Sequence, residues 1–281
     1  MSDEIEINAP LLAGVIGYPI GQSRSPRLHG YWLNRYGLKG YYTPLSVRPG
    51  NLDDAFRALP KLGFRGVNVT MPHKIAALQL ADTVTDRASL IGAANTMFFK
   101  PDGSIRADNT DGYGFIQNIR QSAPNWNPKL GATLVIGAGG ASRAVVAALL
   151  GEGAPKIMLA NRTRQRAEMM TEDFGGKVEV IDWNRTADAM EGAMTIVNAT
   201  SMGMVNQPEL PFSLDAAPKG ALVTDLVYSP LETPFLAAAR ARGLQVVDGL
   251  GMLLHQGVPG FESWFGQRPE VDDDLRAHML A

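Results

Sequence analysis

The stretch Thr133-Leu134-Val135-Ile136-Gly137-Ala138-Gly139-Gly140-Ala141-Ser142 decides how the chain is read. Its four apolar or β-branched residues predict a buried strand, its glycines a tight turn, and the alanine-rich run that follows a helix. A glycine-rich sequence alone says little. A strand before it and a helix after it make it the kind of turn on which a dinucleotide pyrophosphate rests. Gly137 allows the turn, Gly139 lets pyrophosphate approach the backbone, and the helix start offers N–H groups and its positive end. Ser142 stands where a third glycine is usual and is small enough for close helix packing.

Downstream, a strand over 157–160 ends in Asn161-Arg162-Thr163-Arg164-Gln165-Arg166. A site for NAD usually carries an acid at this strand end to hold the ribose 2′-hydroxyl, and that charge would repel a 2′-phosphate. Here the acid is missing. Asn161, Arg162 and Arg166 offer neutral donors and fixed cations, which fits NADP, because guanidinium pairs with phosphate through two parallel bonds. Further strands at 178–181, 195–198, 222–225 and 245–247 complete a six-stranded nucleotide-binding sheet. Asn198-Ala199-Thr200 and Asp225-Leu226-Val227-Tyr228 fall at carboxyl ends of those strands, so Tyr228 could reach a bound substrate.

Upstream, strands at 11–17, 41–47 and 64–69 alternate with helices, in a second doubly wound pattern. The expected fold is therefore α/β, with two open doubly wound domains. Taken alone, Ser25 before Pro26 is an N-cap, and Leu28, Trp32 and Leu33 would face a core. Ser23 and Ser25 together lie just past a strand's carboxyl end, where such sheets place ligands, and two hydroxyls could hold a carboxylate. A helix is expected over 52–62. In Gly66-Val67-Asn68-Val69-Thr70-Met71-Pro72-His73-Lys74 a buried strand is broken by Met71-Pro72, and Pro72 would open a helix whose first turn holds Lys74. A lysine there is repelled by the helix dipole, so its presence hints at function rather than stability. Pro101-Asp102-Gly103 reads as a hairpin turn. Asn95 in an apolar setting and Asp111 before Gly112 would need partners if buried. The last stretch carries Phe261, Trp264 and Phe265, then a helix capped by Asp272, and its aromatics should pack back on the first domain. Gln256 is the polar exception on its helix, while His255 is a surface or core residue rather than a catalyst. The expected division is 1–112 with 249–281 for one discontinuous domain and 113–248 for the nucleotide-binding one.

Composition narrows the function classes. A chain of 281 residues with net charge -2 has no basic field for nucleic acid. No apolar run approaches the ~20 residues of a membrane span. Asp3, Glu4 and Glu6 stand where a secretory signal would be basic, which points to the cytoplasm. With no cysteine, and histidines at 29, 73, 255 and 278 without ligand spacing, a metal site is not expected. The partners expected are a small-molecule substrate and NADP, with no nucleic acid and no membrane, in a monomer or homodimer.

The pieces GYPIGQSRSPRLH, NVTMPHK, GAANT, NTDG, GAGGAS, NRT, NATSMGM, DLVYSPLETP and DGLGMLLHQG, spread in order from Gly17 to Gln256, resemble the shikimate dehydrogenase family. The resemblance implies a substrate domain completed by the C-terminal helices and a Rossmann NADP domain. It also implies NADPH-dependent reduction of 3-dehydroshikimate to shikimate in chorismate and aromatic amino-acid biosynthesis. Carried over, Ser23 and Ser25 would bind the substrate carboxylate, and Thr70, Asn95, Asp111, Tyr228 and Gln256 the ring substituents or carboxylate. Lys74 would be the acid/base, paired with Asp111. Gly137, Ala138, Gly139, Gly140, Ala141 and Ser142, with Asn161, Arg162, Thr163 and Arg166, would hold the cofactor phosphates, and Asp86, Leu226 and Gly249 would make lesser cofactor contacts. An ordinary lysine is already protonated at neutral pH, so the reduction needs no large pKa shift; an aspartate beside it would favour the charged form. Many members carry His at the place of Gln22 and Asn at that of Gly30, departures that bear on the choice between shikimate and quinate. The rival expectations are a quinate/shikimate dehydrogenase and an NADP-binding redox sensor without turnover.

Overall fold

The computed structural model describes residues 9–281; Asp3, Glu4 and Glu6 lie outside the described residues. The chain divides into two compact units, one running to Thr110 and resuming at Gln256–Ala281, the other Asp111–His255. Each is built on its own six-stranded sheet.

In the first unit the strands are β1 (Leu11–Gly17), β2 (Gly40–Ser46), β3 (Phe64–Val69), β4 (Thr83–Val84), β5 (Thr96–Phe99) and β6 (Ile105–Asp108), in the order β2-β1-β3-β5-β6-β4. β1 pairs parallel with β2 and β3, whereas β5 runs antiparallel to β3 and to β6. The Pro101-Asp102-Gly103 turn thus closes the expected hairpin, with Asp102 Oδ1 accepting from the Ser104 amide at 2.8 Å. Reversal at β5 brings the start of β5 and the ends of β1, β3 and β6 to one edge of the sheet. Helices α1 (Ser25–Arg35), α2 (Leu52–Ala58), α3 (Lys74–Gln79) and α4 (Asp86–Ile91) connect these strands.

Three local expectations need correction. Ser25 is not an N-cap: it is the first residue of α1, Arg24 occupies the cap, and no side chain caps there. The 52–62 helix stops at Ala58 and resumes as a short 3-10 turn at Pro60–Leu62, because Pro60 lacks the N–H that α-helical continuation requires. Pro72 lies in the turn ahead of α3, which opens at Lys74 with His73 as its cap residue. His73 Nε2 is held at 2.7 Å from the Val47 carbonyl, which ties that turn to the end of β2.

The second unit contains α5 (Asp111–Ser122), β7 (Ala132–Ile136), α6 (Gly140–Gly151), β8 (Ile157–Ala160), α7 (Arg164–Phe174), β9 (Val178–Ile181), α8 (Thr186–Ala189), β10 (Ala193–Asn198), β11 (Leu222–Asp225), α9 (Pro234–Ala241) and β12 (Gln245–Val247). Its order, β12-β11-β10-β7-β8-β9, is parallel throughout, the doubly wound arrangement that binds dinucleotides at the carboxyl ends of its strands. One face is covered by a core around Phe115, Ile119, Val145 and Leu149, the other by a core around Met190, Leu214, Phe235 and Leu236. Covering both faces explains why these strands read as short continuous apolar runs.

Helix α10 (Leu250–Phe265) belongs to both units by sequence, with its last ten residues in the first. There Trp264 donates from Nε1 to the Met97 carbonyl at 3.2 Å, and Phe261 packs edge-on against Trp32 at 5.2 Å. Gly66 is required beside it, since a Cβ at that position would lie 2.1 Å from both the Met97 oxygen and Trp264 Nε1. The last helix, α11 (Asp273–Leu280), is capped by Asp272, whose carboxylate accepts from the Leu275 amide at 3.0 Å. Among the described residues no helix is long and apolar enough to cross a membrane, and no group of three or more His, Cys, Asp or Glu could hold a metal ion.

Candidate active site

The edge shared by β1, β3, β5 and β6 gathers Ser23, Thr70, Lys74 and Asn95, four of the residues singled out in the sequence. Thr70 continues β3 by donating its amide to the Ile16 carbonyl at 2.8 Å. Lys74 opens α3, and its carbonyl accepts from the Ala94 amide at 2.9 Å, so the lysine backbone is anchored to the segment that carries Asn95.

Asn95 sits just before β5, buried, and its two amide atoms do different things. Oδ1 accepts from the Thr110 amide and the Thr96 hydroxyl, both at 2.8 Å. That fixes the amide orientation and turns Nδ2 toward Gln256 Oε1 at 3.4 Å. Thr110 in turn donates to the Gln256 carbonyl at 2.9 Å. Gln256, read as the polar exception on its helix, is thus held beside Asn95 by side chain and backbone together.

Ser23 and Ser25 are joined locally, the Ser25 amide lying 3.3 Å from Ser23 Oγ. Ser25 is buried, and the nearby buried Tyr42 donates from its hydroxyl to Asn68 Oδ1 at 2.7 Å. Tyr42 and Asn68 are the polar residues that sequence reasoning left unassigned. The signal was present in Asn68, an amide within a strand whose neighbours Val67 and Val69 are both buried. Asp86 is an exposed residue at the start of α4, and next to it Arg87 pairs with buried Asp108, its Nε lying 2.6 Å from Oδ1. Burial pushes the Asp108 carboxyl up, but the Arg87 and Thr85 hydrogen bonds outweigh it and hold the group below its ordinary range.

In the second unit the carboxyl edge carries the glycine turn. Gly137 has φ +112, and a Cβ on it would lie 2.9 Å from the Ala199 oxygen, so only glycine fits there. Gly139 caps α6, and a Cβ there would meet no protein atom within 4 Å, which leaves the backbone open to a ligand. Ser142 is fully buried in the first turn of α6, with Oγ accepting from the Gly139 amide at 3.2 Å and donating to the Ala199 carbonyl at 3.4 Å. Its hydroxyl therefore braces the turn. Asn161, at the end of β8, accepts from the Ala138 amide at 3.0 Å and donates to the Thr163 carbonyl at 2.8 Å. Arg162, Thr163 and Arg166 are exposed, while Arg164 is engaged with Glu168 and Asp182. An exposed backbone turn at a helix start, together with the exposed guanidinium side chains of Arg162 just past the neighbouring strand and Arg166 in the helix that follows it, fits the pyrophosphate and 2′-phosphate of NADP.

The remaining strand ends of this unit are braced by buried polar groups. Asn198 donates to Asp225 Oδ1 at 2.9 Å, and Thr233 donates to Asp225 Oδ2 at 2.7 Å. Burial raises the Asp225 carboxyl above its ordinary range against the hydrogen bonds from Val227, Thr233 and Asn198. Leu226 follows directly, its amide donating to the Asn198 carbonyl at 2.9 Å, and the Gly249 backbone approaches the Leu226 carbonyl so closely that a Cβ would lie 2.4 Å from it. Tyr228 is half-buried two residues beyond Leu226, and Asp111 opens α5. His255 is bonded through Nε2 to Gln121 Oε1 at 2.8 Å, and burial lowers its pKa to about 4.

Three family models match the chain in sequence. "Shikimate dehydrogenase substrate binding domain" covers residues 15–97, "Shikimate / quinate 5-dehydrogenase" residues 122–209, and "Shikimate 5'-dehydrogenase C-terminal domain" residues 249–277. The chain is 64% identical to a shikimate dehydrogenase (NADP(+)) of Paracoccus denitrificans, over 98% of this chain and 97% of that protein. It is 60% identical to the protein of that name from Dinoroseobacter shibae, over 98% and 99%. Among solved structures, shikimate 5-dehydrogenase of Thermus thermophilus in complex with NADP(H) and shikimate superposes with TM-score 0.82 at 36% identity, covering 96% of this chain and 97% of that one. Quinate dehydrogenase of Corynebacterium glutamicum in complex with NAD superposes with TM-score 0.89 at 33% identity, covering 96% and 99%. With these matches spanning nearly its whole length, the chain belongs to the shikimate dehydrogenase family.

Proposed function

We propose that the protein is an NADP-dependent shikimate dehydrogenase, reducing 3-dehydroshikimate to shikimate reversibly on the route to chorismate and the aromatic amino acids. The observation that carries this reading is the gathering of Ser23, Thr70, Lys74, Asn95 and Gln256 in the first unit, with Asn95 and Gln256 hydrogen-bonded to each other. A protein that only sensed NADP would have no use for that set.

In this reading the substrate domain, 1–112 with 249–281, is built around the first unit, and residues 113–248 form the cofactor domain. NADPH, held by the glycine turn from Gly137 to Ser142 and by Asn161, Arg162, Thr163 and Arg166, supplies hydride when bound. Asp86, Leu226 and Gly249 make lesser cofactor contacts. Ser23 and Ser25 bind the substrate carboxylate. Thr70, Asn95, Asp111, Tyr228 and Gln256 orient the ring through its hydroxyls. As negative charge grows on the ketone oxygen, the Lys74 ammonium stabilises it and delivers a proton from Nζ. Asp111 is assigned with Lys74 to the acid/base step. The absence of an acid at Asn161 supports NADP over NAD. The same reading puts the enzyme in the cytoplasm, where NADPH-dependent biosynthesis runs, as a monomer or homodimer.

Lys74→Ala tests the assignment. Turnover should fall by roughly 10²–10⁴, the range general acid catalysis supplies, while shikimate still binds in a calorimetric titration. A variant that turns over near the parental rate would remove Lys74 from the chemistry.

A further inference from the structure

Behind Asn95 lies Thr96, a fully buried threonine that the functional reading gives no contact with substrate or cofactor. Its hydroxyl is set from the rear by Asn68, whose Nδ2 donates to the Asn95 carbonyl and to Thr96 Oγ1, both at 3.1 Å. A backbone carbonyl can only accept, so Asn68 must present its amide nitrogen there and its oxygen to Tyr42, whose hydroxyl donates to it at 2.7 Å. Thr96 Oγ1 thus receives a proton from Asn68 and has its own to give. Two acceptors lie in reach, Asn95 Oδ1 at 2.8 Å and Thr110 Oγ1 at 3.1 Å, and the carboxamide oxygen is the nearer. The Thr110 hydroxyl gives its single proton to the Gln256 carbonyl at 2.9 Å. Donation therefore runs in one direction, from Tyr42 through Asn68 and Thr96 to Asn95.

The terminal torsion of an asparagine is broad, so its carboxamide swings unless something holds it. The Thr110 amide, donating to Asn95 Oδ1 at 2.8 Å, decides which end of the carboxamide faces inward. That bond alone leaves the group free to turn about the contact. A carbonyl oxygen accepts along two lone-pair directions in its own plane, and the Thr96 hydroxyl supplies the second bond at 2.8 Å. With both directions filled the plane is set, and with it the direction in which Nδ2 donates. We propose that Thr96 is a positioning residue for the reaction: its hydroxyl locks the Asn95 carboxamide so that Nδ2 is aimed at an oxygen of the substrate ring, and the site selects a hydrogen-bond acceptor at that point. The inference rests on the functional reading above, in which Asn95 meets the ring.

The test is a double-mutant cycle on the full-length enzyme, with shikimate and NADP as substrates. Thr96→Val keeps the shape of the side chain and removes the hydroxyl. It should lower kcat/KM for shikimate about tenfold, the effect of one weakened hydrogen bond, and leave KM for NADP unmoved. Thr96→Ser keeps the hydroxyl and should stay within about threefold of the parent, an outcome that loss of packing alone would not give. Added to Asn95→Ala, Thr96→Val should cause no further loss in kcat/KM, because its action runs through Asn95. Thr96→Val with Asn68→Leu removes the Asn68 donor along with its acceptor, which spares the fold an orphaned N–H at that contact; it should show the same loss. A near-parental kcat/KM in Thr96→Val, an equal loss in Thr96→Ser, or losses that multiply with Asn95→Ala would overturn the positioning role, while parental turnover left the functional reading standing. A parental enzyme inert toward shikimate would overturn both.

Discussion

Asn95 Nδ2 donates to Gln256 Oε1 at 3.4 Å, although the two residues stand 161 positions apart in the chain. The pair divides the work between stability and recognition. Asn95 Oδ1 takes two hydrogen bonds, from the Thr96 hydroxyl and the Thr110 amide, both in buried surroundings, whereas Gln256 Oε1 meets Asn95 by a long bond. Asn95→Ala leaves the Thr110 amide without its acceptor and should cost about 2 kcal/mol or more of stability. Gln256→Ala should leave chemical unfolding near the parental midpoint and raise KM for shikimate. Equal loss of stability in both variants would contradict this division.

Arg162 is exposed at the end of the strand that follows the glycine turn, while Arg164 nearby is already engaged with Glu168 and Asp182. If Arg162 pairs with a 2′-phosphate, Arg162→Ala should weaken NADP binding by roughly tenfold or more and leave NAD nearly unaffected. Titration of the protein with each dinucleotide reads this directly. A comparable loss for both would remove the 2′-phosphate role.

His29 makes the acid behaviour of the fold predictable. Its ring is fully buried, both nitrogens lack a hydrogen-bond partner, and burial lowers its pKa from 6.5 to about 3. The unfolded chain takes up a proton below about 6.5 that the folded chain refuses until about 3. The stability that comes from keeping this ring neutral is therefore complete above 6.5 and lost as the pH falls toward 3, with a slope approaching roughly 1.4 kcal/mol per pH unit. His255, lowered to about 4 by its own burial, adds a second fall of the same sign. His29→Phe should flatten the decline between about pH 6.5 and about pH 5 in urea unfolding measured at each pH. An unchanged slope would mean that the folded protein does not keep His29 neutral.

Legibility in the sequence followed the physical kind of each feature. Strands 157–160, 178–181, 222–225 and 245–247 stand where the sequence placed them, because buried parallel strands are short apolar runs bounded by breakers. Helix starts were less legible. Ser25 had the composition of a cap, but the helix begins at Ser25 itself, with Arg24 as the cap residue and no side-chain capping bond. Pro60 breaks the helix expected over 52–62, and Pro72 marks a break as expected but lies ahead of the helix it was read as opening. Ser142, read as a substitute glycine, acts instead through its hydroxyl on Gly139 and Ala199. Asn161 carries a structural task, holding the Ala138 amide, that its reading as a phosphate donor did not contain. The Tyr42–Asn68–Asn95 network was invisible for the plainest reason: it joins β2, β3 and the segment before β5 through space, and only the sheet order, with β2 and β3 on either side of β1, brings them within reach.

The most direct measurement of the account is kcat/KM for shikimate and for quinate, each with NADP and with NAD. The account predicts that shikimate with NADP exceeds every other pairing by at least about tenfold, a margin that a few selective hydrogen bonds and one phosphate contact can supply. Equal efficiency with quinate, preference for NAD, or absence of turnover with shikimate and NADP would contradict it.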